Sequence, residues 1–320
     1  MVLAELIVLV IFISILSKSA EVVVRNATKL AQFFGVSQLA VGILLVAAAT
    51  TLPELSVSVA ASVTNQGAIA AGNVFGSNIA NLLLLLGIGA FLYGFRVSRD
   101  MLPEVGLVLL ITTLISVYII YHSQIAGNAL GFVEGAVLLL VAAFYVSHIL
   151  SKKGVKNGKA EAHVTKQEGL SAFLRFFVGI VGIIISSHFA VDSAVKLAEI
   201  AGLSQSFIGA TIIAIGTSLP ELSVILQAIK RKHYGIALGD ALGANMINLT
   251  FVLGVASAIN PITVQLSIFI AALLFAVVAN MFFFYTAAVK RAFGRLDGTL
   301  MVLMYVLYVV AMFYLQFGGA

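Results

Sequence analysis

Three blocks of this chain return after the same interval of 167 residues. Gly35-Val36-Ser37-Gln38 matches Gly202-Leu203-Ser204-Gln205. Thr50-Thr51-Leu52-Pro53-Glu54 matches Thr217-Ser218-Leu219-Pro220-Glu221. Gly72-Asn73-Val74-Phe75-Gly76-Ser77-Asn78-Ile79-Ala80-Asn81 matches Gly239-Asp240-Ala241-Leu242-Gly243-Ala244-Asn245-Met246-Ile247-Asn248. One offset shared by three blocks marks an internal duplication, and the fold has to place two similar halves together.

Each copy lies in a long apolar run. Hydrophobic residues make up 61% of the chain and charged residues 10%, with a mean hydropathy of +1.13. Soluble domains carry about 25% charged residues. Runs of about 20 apolar residues, each long enough to cross about 30 Å of hydrocarbon, cover nearly everything. The expected fold is therefore an all-α polytopic membrane protein of ten transmembrane helices. The expected spans are Val2–Leu30, Ser37–Val63, Ala68–Tyr93, Met101–Tyr121, Leu130–Leu150, Leu170–Ala198, Gln205–Lys230, Tyr234–Ala258, Ile262–Ala288 and Thr299–Gln316. The first run lacks a basic leading segment and carries Glu5, so it reads as a mature helix rather than a cleaved signal.

A lysine-rich stretch divides the chain into a first five-helix repeat (residues 1–150), a linker (151–169) and a second five-helix repeat (170–320). Five is odd, so the second half enters the membrane from the opposite face, an inverted-topology repeat of the kind secondary transporters use. Basic residues cluster after spans one, three, five, seven and nine, with Lys196 the exception. By the positive-inside rule these loops and the linker are cytoplasmic and both termini are extracellular. The formal charge of +5 is thus spent on orientation, and nucleic-acid binding is not expected. With no cysteine there is no disulfide, thiolate metal site or cysteine nucleophile.

The repeated phrase carries the chemistry. Pro53 and Pro220 each remove a backbone donor inside a span, leaving the carbonyls of Ala49 and Gly216 without their helical partner and loosening the turns at Thr50 and Thr217. An irregular backbone at membrane depth is tolerated where it lines a cavity or the protein interior, and an intramembrane carboxylate is a functional candidate by default. Glu54 and Glu221 follow the two prolines directly. Two carboxylates with hydroxyl and carbonyl oxygens suit a hard cation such as Ca²⁺, which takes 6–8 oxygen ligands; with no His or Cys nearby, zinc or copper does not fit. Asn73, Ser77 and Asn81 form a stripe at helical spacing, read in the second half as Asp240, Ala244 and Asn248. Both stripes are expected against the broken helices, adding oxygens beside or behind the ligands. Proline kinks and asparagine stripes are also common as plain packing features; the duplication favours a site, while Asp240 has the stronger case for simple packing. Glu21, Glu134, His188 and Asp192 lack a repeat partner of the same kind and read as packing or interface residues, and the Phe and Tyr of spans nine and ten as a lipid face.

The blocks resemble the two alpha-repeats of the calcium/cation antiporter superfamily, which includes sodium/calcium and proton/calcium exchangers. The family's G-T-S-L-P-E phrase is complete at Gly216 to Glu221 and has two changes at Ala49 to Glu54; its G-N-x-x-G-S-N block is complete at Gly72 to Asn78. The resemblance implies a Ca²⁺ site from Glu54 and Glu221 with the carbonyls of Thr50 and Thr217, flanking cation sites using Thr51, Ser77 and Ser218, and alternating access by movement of spans one and six. It implies a transported ion rather than a resident cofactor, membrane lipid as surroundings, no obligate protein partner and no enzyme activity. Departures from the sodium pattern are Ala244 for Ser, Asp240 for Asn, Asn248 where an acid is common, and Thr51 for Ser. Ala244 removes an oxygen and Asp240 adds a titratable group, so protons are the expected counter-ion: Ca²⁺ and H⁺ compete for the paired glutamates. The L-P-E wording is more typical of the sodium branch, and a Na⁺/Ca²⁺ exchanger is the alternative. A passive cation channel using the same carboxylates is the reading from another class.

Overall fold

The helix that organises the molecule is buried on every side. In the computed structural model, which describes residues 2–125, 129–151, 164–200, 214–263 and 266–317, all residues from Gly235 to Met246 are buried. A helix that is apolar and covered all round belongs in the middle of an assembly. Its glycines explain how neighbours come so close. A methyl group added at Gly239 would sit 2.5 Å from the Leu39 carbonyl oxygen and 2.7 Å from the Gly42 Cα. One at Gly243 would sit 2.7 Å from the Ile43 Cα. These glycines thus bring the helix into backbone contact with the span that carries the first proline.

In chain order the elements are α1 (Val2–Phe34), α2 (Gln38–Thr50), α3 (Leu52–Val63), α4 (Gly67–Tyr93), β1 (Phe95–Arg96), α5 (Leu102–Ile125), β2 (Ala129–Leu130), α6 (Phe132–Ser151), α7 (Lys166–Ile200), α8 (Ala214–Thr217), α9 (Leu219–Lys230), α10 (Tyr234–Ile259), β3 (Ile262–Thr263), α11 (Leu266–Val289), β4 (Ala292–Phe293) and α12 (Arg295–Phe317). Among the described residues eight helices are long and apolar enough to cross a membrane, or nine if α2 and α3 form one bent span. The expectation of ten is therefore not reproduced by this count; span seven, Gln205–Lys230, falls partly outside the described residues, as does most of the linker. The last span begins at Arg295 rather than Thr299, and the first reaches Phe34 rather than Leu30.

Among the described residues three helices contain a wider π turn: Gly42–Val46 in α2, Ala80–Leu85 in α4 and Asn248–Val252 in α10. Such turns occur mostly as single insertions and often at functional sites. Those of α4 and α10 begin directly beside the repeated Asn81 and Asn248, so the two halves share the distortion as well as the sequence.

Two short antiparallel strand pairs join the halves. Phe95 and Arg96 pair with Phe293 and Ala292, and Ala129 and Leu130 pair with Thr263 and Ile262. Gly94, at φ +63°, ends α4 and turns the chain into β1. The elements on either side of these pairs recur in the same order: α3 at α9, α4 at α10, α5 at α11 and α6 at α12.

α1 and α7 pack along one another and reach the rest mainly through α9. Arg231, just after α9, binds Glu21 of α1 at 2.7 Å, with Lys18 and Arg25 also near Glu21 at 3.6 and 3.8 Å. Glu21 is thus an interface residue, as expected. Lys196 of α7 binds Asp192 at 2.7 Å and approaches Glu5 at 3.9 Å. Glu134 is a local cap, its Oε2 accepting from the Gly131 N–H at 2.8 Å. The outermost helix is α12, whose Phe313 and Tyr314 are exposed; Phe283 of α11 instead stacks inward on Phe95 and Phe293, so the lipid-face reading holds for only part of those aromatics.

Candidate functional site

Each proline breaks its span two residues before itself. Ser37 caps α2, its hydroxyl accepting from the Ala40 N–H at 3.1 Å. The helix then runs to Thr50, departs from helical angles at Thr51 (φ −79°, ψ 4°), and restarts at Leu52 with Pro53 in the first turn of α3. The axis bends by 48° there. The second copy does the same: α8 ends at Thr217, Ser218 takes φ −91° and ψ 7°, and α9 restarts at Leu219 with Pro220 in its first turn. Proline is well suited to this place because the N–H it lacks would have no partner in a first turn.

Glu54 and Glu221 are consequently the third residues of two new helices. Both carboxyls lie at helix N-termini, near unpaired N–H groups and the positive end of the helix dipole. Both are 1% exposed, and Asp240 is 0% exposed. The three belong to one electrostatic group: Asp240 acts on Glu54, and both Glu54 and Asp240 act on Glu221. The hydroxyls cross between halves. Ser218 of the second half faces Glu54, and Thr50 of the first half faces Glu221. Thr50 Oγ1 also donates to Asp240 Oδ1 at 3.0 Å, with the Val46 and Ala47 carbonyls slightly farther away. Thr51 turns back onto its own helix, donating to the Ala47 carbonyl at 2.8 Å.

Glu54 Oε2, both Glu221 oxygens and Asp240 Oδ2 are buried without a hydrogen-bond partner, and so are Asn81 Oδ1 and Asn248 Oδ1. Buried acceptors of this kind are costly to leave bare, and burying charge is costlier still. Three buried carboxyls with bare oxygens call for cations or protons. Among the described residues no three His, Cys, Asp or Glu side chains are arranged as a ready-made metal cluster; any cation would draw on the neutral oxygens as well.

The stripes meet the expectation at one end and depart from it at the other. Asn73 braces the first break, donating to the Glu54 carbonyl at 3.2 Å and to Ser58 Oγ at 3.0 Å. Its counterpart Asp240 can accept but not brace, because a carboxylate has no donor and Ile225 stands where Ser58 would be; it turns to Thr50 instead. Ser77 is buried one turn beyond Asn73, and Thr217 is partly exposed. Asn81 and Asn248 do not bond to the broken helices. Their amides donate across the middle of the molecule, to Asn245 Oδ1 at 3.0 Å and Asn78 Oδ1 at 3.2 Å. Asn78 and Asn245 were not singled out from the sequence, although their identity at matched positions of the repeat was the available signal.

The profile of the family described as "Sodium/calcium exchanger protein" matches residues 4–150 and 171–314. This chain belongs to that family. Inner membrane protein YrbG of Escherichia coli is 32% identical over 76% of this chain and 76% of its own. Sodium/calcium exchanger MaX1 of Methanosarcina acetivorans is 26% identical over 98% of this chain and all of its own. The Ca²⁺/H⁺ antiporter ChaA of Bacillus subtilis is 29% identical over 68% of this chain and 64% of its own. Among solved structures, the sodium-calcium exchanger NCX_Mj superposes with a TM-score of 0.83 at 24% identity, covering 98% of this chain and 100% of that one, which shows a shared fold. The protein is therefore an integral membrane cation exchanger that takes Ca²⁺ as substrate together with a monovalent cation.

Proposed function

We propose that this exchanger couples Ca²⁺ to protons by alternating access, with Glu54 and Glu221 as the shared Ca²⁺ and H⁺ ligands and Asp240 as a third proton acceptor. Thr50 and Thr217 supply further oxygens to Ca²⁺; Thr51, Ser77 and Ser218 stand beside the site, and Asn73 braces it. The observation that carries the reading is Asp240 itself. It is a fully buried carboxyl, hydrogen-bonded to Thr50 of the other half, acting on both glutamates. One turn on, Ala244 offers no oxygen for a sodium ion. When Ca²⁺ is bound, the two ionised glutamates offset its charge. When it leaves, the carboxylates would repel one another in a low-dielectric interior, and protons neutralise them. The site can cross the membrane filled with Ca²⁺ or protonated, but not empty and charged.

The architecture we propose with it is ten spans in two inverted five-helix repeats, with residues 151–169 cytoplasmic and both termini extracellular. The recurring element order, the two strand pairs between halves and the paired helix breaks support it. A second reading, Na⁺/Ca²⁺ exchange, is favoured by the L-P-E phrase and by the printed name of MaX1.

The test is radiolabelled Ca²⁺ uptake into proteoliposomes, driven in separate experiments by an outward proton gradient and an outward Na⁺ gradient. Uptake on protons alone is the expected result. Uptake only on Na⁺ returns the protein to the second reading, and uptake on neither, relative to Glu54→Gln, ends the exchanger assignment for this site.

A further inference from the structure

Where α4 and α10 cross, Asn78 and Asn245, matched positions of the two halves, close a hydrogen-bonded ring, and Asn81 and Asn248 attach to it from either side. Asn78 Nδ2 donates to the Asn245 backbone carbonyl at 3.2 Å, and Asn245 Nδ2 donates to the Asn78 backbone carbonyl at 3.0 Å. Asn81 Nδ2 donates to Asn245 Oδ1, and Asn248 Nδ2 to Asn78 Oδ1. All four side chains are buried, the most accessible at 7%.

The ring fixes something that a single asparagine leaves free. An amide can usually present either its oxygen or its nitrogen to a given neighbour. A backbone carbonyl only accepts, so the Asn78 and Asn245 amides have to turn their nitrogens towards it. Their oxygens then face Asn248 and Asn81, which have to answer with nitrogens. That leaves one consistent arrangement, in which Asn81 Oδ1 and Asn248 Oδ1 point out of the ring. Both are buried and without a partner, as are the free oxygens of Glu54, Glu221 and Asp240. The ring also has a distinct back. A cavity of about 20 Å³, lined by Asn78, Asn245, Thr112, Ser116 and Asn280, lies on the α5 and α11 side, and neither Asn81 nor Asn248 lines it.

We propose that Asn78 and Asn245 are positioning residues for ion binding: their reciprocal clasp locks Asn81 and Asn248 so that carbonyl oxygens, and never amide nitrogens, are offered to the transported cation. Without the clasp each amide could turn and set partly positive N–H groups towards a positive ion. The proposal rests on the exchanger reading above. Partners that orient a ligand in this way change metal affinity by about 10–100-fold when removed.

The experiment is Ca²⁺ uptake as a function of Ca²⁺ concentration in proteoliposomes, with equilibrium ⁴⁵Ca²⁺ binding to the purified chain as a second readout. Asn78→Ala and Asn245→Ala are expected to raise KM and weaken binding by about tenfold or more, with the maximal rate largely kept. The decisive arm is rescue. A carboxylate has oxygen on both sides and cannot be turned wrongly, so Asn78→Ala combined with Asn248→Asp should return KM to that of Asn248→Asp alone. A purely structural clasp would lower stability and maximal rate, and Asn248→Asp would not repair it. If Asn78→Ala yields no folded protein, Asn78→Val removes the same acceptor with less lost volume and reads the same KM. An unchanged KM in the clasp variants, or no rescue, overturns the proposal while wild-type uptake stands. Wild-type protein that moves no Ca²⁺ on either gradient overturns the exchanger reading and the clasp with it.

Discussion

The two glutamates and Asp240 are alike in burial but not in what a substitution would do. Glu54→Gln and Glu221→Gln keep the shape and remove the charge that balances a divalent ion, so Ca²⁺ uptake should fall to background for either. Asp240→Asn keeps an acceptor for Thr50 and removes only the proton site. It should leave Ca²⁺ transport measurable and change its dependence on pH; an identical pH profile would take Asp240 out of the coupling. Adding a hydroxyl with Ala244→Ser in the Asp240→Asn background should introduce Na⁺-driven uptake, read in the same vesicles. At this scale the sequence was a good guide to the acids, because a carboxylate in an apolar run is conspicuous by itself. It was a poor guide to Asn78 and Asn245. A stripe drawn along one helix cannot show that the partner of Asn78 is the same residue of the other half, 167 positions away.

The helix breaks show how one residue type shapes an element. Pro53 ends one helix and starts another, and the 48° bend between α2 and α3 follows. Pro53→Ala gives residue 53 an N–H for the Ala49 carbonyl and lets the turn close. The expected outcome is a higher melting temperature with slower turnover; an unchanged rate would mean that the break is not needed for transport. Packing sets the opposite limit on α10. At Gly239 the added methyl meets backbone atoms of α2 at 2.5 and 2.7 Å, and backbone cannot step aside as a side-chain tip can. Gly239→Ala should destabilise the protein by about 1–3 kcal/mol, visible as a lower melting temperature in detergent. The spans and their breaks were legible because hydropathy and proline act locally. The π turns and the two-residue strand pairs were not: both depend on which segments meet, and Phe95-Arg96 or Ala292-Phe293 alone carries no strand signal.

The whole molecule is held by contacts between halves rather than by the chain that joins them. The two strand pairs and the asparagine ring each take one side from each half. Residues 1–151 and 164–320 produced as two separate chains should therefore copurify on size-exclusion chromatography, with Ca²⁺ uptake retained. Some contacts between the halves have no equivalent at the matched positions, Thr50–Asp240 and Glu21–Arg231 among them. At the repeat positions matching Glu21 and Arg231 stand His188 and Thr64, which cannot form the same ion pair. A carrier whose halves matched everywhere would stand open to either side for equal times. The Glu21–Arg231 link has no counterpart at the matched positions and favours one posture weakly, since solvent screens a partly exposed pair. The chain has no cysteine of its own, so single cysteines introduced on the two faces would report the ratio directly, and Glu21→Gln should move it towards even. The protein would then be a reversible machine with a preferred resting side, its idle posture biased by an ion pair at the contact of α1 with α9 rather than by the ions it carries.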